Sequence, residues 1–149
     1  MDIHKENGFT LIEIMVVIGV LLIIITLALP NIIRSRIIAN ESAAFANLKM
    51  IFNACQNYYS GVSPHEFPEK LINLAEPYSH PPYIDSVLAS GEKQGYEFVY
   101  QRLTEESFTL RANPKSALNG RKYFFVNENG SFRYSLEGPA DEDSPEFKI

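Results

Sequence analysis

Glu13 is the side chain of this sequence most out of keeping with its surroundings. It is the only charge in the run from Phe9 to Leu29, FTLIEIMVVIGVLLIIITLAL. At a membrane helix centre an acid costs about 2.5–3.5 kcal/mol, and less towards an end. Protonation or a position among lipid headgroups would relieve that cost, and so would a positive partner held in the same apolar surroundings. A chain cut just before Phe9 would supply such a partner, combining a free amine with the positive end of a helix. Within one helix that amine lies about 6 Å away along the axis, so a neighbouring chain shifted by one step offers the better contact.

Other candidates are weaker. Asp141, Glu142 and Asp143, with Glu146 close behind, present hard oxygen ligands suited to calcium, although their spacing is not that of an EF-hand and a solvated tail explains them as well. His4, His65 and His80 have no Cys or Ser pattern near them, and there is no P-loop, G-x-S-x-G or zinc spacing. Cys55 falls on an apolar helical stripe, where a buried, inert thiol is expected. The aromatics, 12% of the chain, follow helix and strand periods and belong to a core. No enzyme active site emerges, and the expected metal and cofactor content is none, calcium apart.

These residues sit in 149 positions, a length that fits one domain. With 13 Lys plus Arg against 18 Asp plus Glu, the net charge of −5 disfavours nucleic acid as a partner. One cysteine allows no disulfide within the chain.

The run from Phe9 to Leu29 makes a helix of about 30 Å, enough to span a bilayer. It is longer than the apolar part of a secretory signal and has no A-x-A-like site after it. Beyond Pro30 the pattern turns amphipathic: Phe45, Leu48, Phe52, Cys55 and Tyr59 form one stripe, while Glu41, Asn47 and Asn53 fall on the polar remainder. Gly61 and Ser63-Pro64 end the helix. Pro30 and Gly19 predict a kinked or locally melted stretch. Residues 61–95 are rich in proline and glycine, with short helices expected at Glu69–Glu76 and Tyr83–Ala89. Four antiparallel strands follow: Tyr96–Tyr100, Ser107–Ala112, Arg121–Val126 and Ser131–Tyr134, the last two joined through an Asn129-Gly130 turn. From Glu137 the acids and prolines predict an exposed, mobile tail.

Gly8-Phe9-Thr10-Leu11-Ile12-Glu13, after a short polar leader containing Lys5 and before a continuous apolar run, resembles the N-terminal signature of type IV pilins and the pseudopilins of type II secretion. The resemblance covers about residues 8–30, with Asn7 where the family carries Lys or Arg. It implies cleavage between Gly8 and Phe9 by a prepilin peptidase, N-methylation of Phe9, and a subunit that polymerises from the inner membrane. It implies roles in assembly for Phe9, Glu13 and Pro30, and partners in other copies, membrane lipid, an assembly platform and its ATPase. It places the N-terminus in the cytoplasm and the head outside, whereas counting Arg34 and Arg36 against Lys5 favours the reverse. The lack of a Cys pair is more like a pseudopilin or compact pilin, and some secretion pseudopilins hold calcium near their C-terminal loops. The expected fold is α+β and pilin-like, with a long helix on a small antiparallel sheet. Its expected parts are a leader (1–8), a transmembrane and filament-core helix (9–30), an amphipathic half (31–60), a head (61–136) and an acidic tail (137–149). The rival expectation is a single-span anchored binding protein that never polymerises.

Overall fold

The computed structural model describes residues 8–147, so the leader residues His4, Lys5 and Asn7 lie outside it. One helix, α1 (Leu11–Gly61), passes through two compact units that divide between Ser35 and Arg36. Among the described residues, the first unit is the helix to Ser35 with Gly8–Thr10 before it. The helix is unbroken with Pro30 inside it, so the melting expected there is absent. Two side chains support the turns around the proline: the Thr26 hydroxyl donates to the Leu22 carbonyl at 2.7 Å and the Asn31 amide to that of Leu27 at 3.4 Å.

The second unit is the α+β head. After α1 come a 3-10 turn (Leu71–Leu74), a short α2 (Ser86–Ala89) and five strands: β1 (Glu92–Lys93), β2 (Tyr96–Thr104), β3 (Ser107–Pro114), β4 (Tyr123–Asn127) and β5 (Arg133–Ser135). The strands form one antiparallel meander in chain order. Four of them match the expected runs. The fifth, β1, escapes notice because it is two residues long and has no hydrophobic alternation to display. It exists through the Gln94-Gly95 turn, where φ of 51° and 79° give the type I′ twist that a two-residue hairpin requires. Gly130 likewise takes the left-handed conformation at φ 76° between β4 and β5. The helices expected at Glu69–Glu76 and Tyr83–Ala89 are shorter than that, a 3-10 turn and the four-residue α2, which starts where the Asp85 carboxylate accepts from the Leu88 N–H at 2.9 Å.

The strand period of two sends Tyr96, Phe98 and Tyr100, Phe108, Leu110 and Ala112, and Phe124 and Val126 to one face of the sheet. That face covers Ala44, Leu48, Ile51, Ala54 and Cys55 of α1. The seam differs from the expected stripe. Leu48 and Cys55 lie within it, but Phe45, Phe52 and Tyr59 flank it, half-buried, while alanines at its centre let helix and sheet approach closely. The flanking rings wrap the seam, with Phe52 5.6 Å and Phe45 5.4 Å from the Phe132 ring centre. At the other end of the sheet, Gly120 abuts the Tyr96 ring so tightly that a β-carbon would overlap it, and the Tyr96 hydroxyl donates to the Lys122 carbonyl at 2.9 Å.

Glu41 and Asn47 were expected on the polar side of α1, and both are buried. Each has a partner that justifies its burial: Glu41 accepts from the Arg121 N–H at 2.9 Å with the Lys122 ammonium 3.4 Å away, and the Asn47 amide donates to Gln94 at 3.2 Å.

The segment from Glu137 is exposed at most of its described residues, as expected, but it is tied to the sheet. The Tyr134 N–H donates to the Pro145 carbonyl at 3.0 Å and the Phe147 N–H to that of Phe132 at 2.8 Å, so the segment runs antiparallel along β5. Phe147 is the physical reason. Its ring lies 4.7 Å from Phe45 and 5.6 Å from Phe124, completing an aromatic cluster that acids nearby in sequence had masked.

Candidate functional site

Apart from the half-buried Ala28, every residue from Gly8 to Arg36 is exposed. Phe9 is 84% exposed and Leu27 70%, and no residue of the apolar window is buried within the fold. A helix apolar on all sides that none of the described residues covers requires another apolar environment, either lipid or other protein surface. Length and composition suffice for one membrane crossing.

The acid at its start has a local geometry that the sequence spells out as Thr10-x-x-Glu13. The Thr10 N–H and hydroxyl both donate to Glu13 Oε2 at 2.8 Å, and the Glu13 N–H donates back to Thr10 Oγ1 at 3.3 Å. This is a capping box: each residue satisfies an N–H that the first turn cannot. The helix therefore starts at Leu11, two residues later than the apolar run suggests. Gly8 and Phe9 stay outside it, exposed and non-helical.

The acidic loop is arranged otherwise than a metal site. Asp141 Oδ1 accepts from the N–H groups of Asp143 and Ser144 at 3.1 and 3.0 Å and from the Ser144 hydroxyl at 2.8 Å. The Ser144 hydroxyl is the main cause that holds the Asp141 carboxyl below its usual pKa. Among the described residues no three acids, histidines or cysteines gather in a way that could hold a metal. Asp141, Glu142 and Asp143, expected as weak calcium candidates, do not converge on one point.

The remaining candidates are structural. The His65 ring stacks on Tyr59 and shares a hydrogen bond with the Tyr59 carbonyl at 2.9 Å, and His80 lies 3.8 Å from Glu76 on the surface. A groove of about 290 Å3 between α1 and β4 is lined by Ile38, Phe45, Phe124 and Phe147, and its charged groups, Glu41 and Lys122, are already paired.

Cys55 is fully buried, and burial pushes its thiol pKa up to about 12 from 9.0. Burial is also the main cause that raises the phenols of Tyr96 and Tyr100. The folded head keeps these protons at a pH where the unfolded chain releases them. The stability they contribute is intact below 9.0 and is lost as pH climbs towards 12. Thermal melts of the full chain in detergent should show a midpoint that falls over that range. Maleimide should label Cys55 only after denaturant is added. Labelling of the folded protein at neutral pH would contradict the burial.

Comparison with known proteins agrees with this geometry. Residues 3–29 match the family model described as the prokaryotic N-terminal methylation motif. Over 150 aligned residues the chain is 29% identical to type II secretion system core protein G of Escherichia coli (strain K12), covering 97% of this chain and 90% of that protein. It is 36% identical to type IV major pilin protein PilA of Myxococcus xanthus (strain DK1622) over 56 residues, 38% of this chain and 26% of the pilin. No solved structure matches significantly. This chain carries a prokaryotic N-terminal methylation motif joined to an α+β head, and is similar to a type II secretion core protein over nearly its whole length and to a type IV major pilin over part of it.

Proposed function

We propose that the chain is a structural subunit of a helical filament, cut between Gly8 and Phe9, methylated on Phe9 and assembled from the inner membrane. The observation that carries this reading is the exposed apolar half of α1, charged only at Glu13. Such a surface has two uses in sequence: it holds the subunit in lipid, then packs against copies of itself. Leaving lipid gains little, because lipid is already apolar, so extraction needs an external motor. On this reading a membrane platform and a cytoplasmic ATPase do that work, with the N-terminus inside and the head in the periplasm or beyond. Similarity to the secretion protein extends through the head, whereas similarity to the pilin is confined to a 56-residue stretch. This favours a secretion pseudopilus over a surface pilus.

Within the filament, Glu13 would exchange its Thr10 hydrogen bonds for the amine of a neighbour's Phe9, neutralising two charges and setting the axial step. Pro30, whose ring removes one helical hydrogen bond, would let the helix adjust to its neighbours.

Mass spectrometry of the protein from its host tests the processing. A mature chain starting at N-methylated Phe9 is expected. An intact Met1 leader on the membrane-bound protein would overturn the reading in favour of a static anchor.

A further inference from the structure

The outer face of the sheet, turned away from α1, carries a row that crosses four strands in register: Val99, Arg111, Phe125 and Arg133, with Glu146 of the C-terminal segment beside the last. Phe125 has no part in the core under the sheet, yet it is 1% exposed. The Arg111 guanidinium lies 5.6 Å from its ring centre. Ala140 is also fully buried, away from that core. Residues 137–147 thus form a strap across this face, held by two side chains. Arg111 Nε donates to the Ala140 carbonyl at 3.2 Å, and Arg133 Nη1 donates to the Ser144 carbonyl at 2.7 Å.

We infer that Arg111 and Arg133 do for this strap what a bound divalent cation would do, and that the head folds and stays closed without calcium. The donor set argues for this directly. Calcium takes six to eight oxygens at about 2.3–2.6 Å. Here the Ala140 and Ser144 carbonyls accept from guanidinium groups, and Asp141 Oδ1 already accepts three hydrogen bonds within its own loop. Two guanidinium groups bring the same double positive charge from the sheet below, beside a strap carrying Asp141, Glu142, Asp143 and Glu146.

The test uses the full chain in detergent micelles. The thermal midpoint and hydrogen exchange at the Tyr134 and Phe147 amides should be the same in millimolar calcium chloride and in chelator. Arg111→Gln with Arg133→Gln should speed exchange at those two amides by about tenfold or more, while amides of α1 around Leu48 keep their protection. Calcium should not reverse the change. A higher midpoint of the unaltered chain in calcium, or rescue of the double variant by calcium, would overturn the inference, as would unchanged exchange in the double variant. If the double variant does not fold, the calcium comparison on the unaltered chain decides alone.

Discussion

Glu13→Ala should insert in the membrane and lose its leader much as the unaltered chain does, yet yield filaments reduced by more than about a hundredfold, the scale of breaking a buried charge pair. The capping box complicates the interpretation of that variant, because alanine also removes the bonds that Glu13 makes to Thr10, a loss of about 1 kcal/mol of helix stability. Glu13→Gln separates the two roles. Glutamine can still accept from the Thr10 N–H and hydroxyl, so the helix start survives, but it has no charge to offer an amine. Loss of filaments with glutamine as well as alanine, measured as the assemblies sedimenting from detergent-solubilised envelopes beside a leader-cleavage assay, supports pairing. Normal assembly with glutamine would leave Glu13 as a helix cap and nothing more.

The second large effect belongs to the head. Phe108 is fully buried on β3, 4.7 Å from the ring centre of Phe67, 5.5 Å from Tyr100 and 6.3 Å from Phe52. It joins the loop after α1, the sheet and the helix at one point, so truncation leaves a cavity whose walls belong to three separate segments. Phe108→Ala should cost about 3–5 kcal/mol, a large part of the roughly 5–15 kcal/mol that holds a domain folded. Urea unfolding of the full chain in detergent, followed by tyrosine fluorescence, measures it. Leu103→Ala on β2, at a side chain 55% exposed, should shift stability by no more than about 0.5 kcal/mol. Equal midpoints for the two variants would show that the ring cluster does not carry the core.

Whatever depends on a short sequence period was legible from the chain alone: the long helix, the four longer strands, the turn at Gly130 and the buried Cys55. The errors share one cause, which is that the deciding partner lies far along the chain. Glu41 looks like a surface acid until Arg121 and Lys122 arrive just before β4, and Asn47 looks solvated until the Gln94 turn closes on it. Phe147 was hidden among acids because local composition cannot show an aromatic cluster waiting on α1 and β4. The α1 seam was misplaced because large rings draw the eye, whereas close packing centres on Ala44 and Ala54. The Thr10 cap is different. Its Thr-x-x-Glu spacing stood in plain view and was eclipsed by the longer apolar run beginning one residue earlier.

The strap has a consequence beyond the face it covers. A sheet is vulnerable at its two borders, where unpaired backbone groups invite strands from other molecules and, in time, cross-β aggregation. Here residues 145–147 occupy the open side of β5, while β1, two residues long, covers only the Tyr96 end of β2. Strand addition is thereby closed off on the β5 side of the sheet, and a strand from another molecule would have to use the Val99–Thr104 edge of β2.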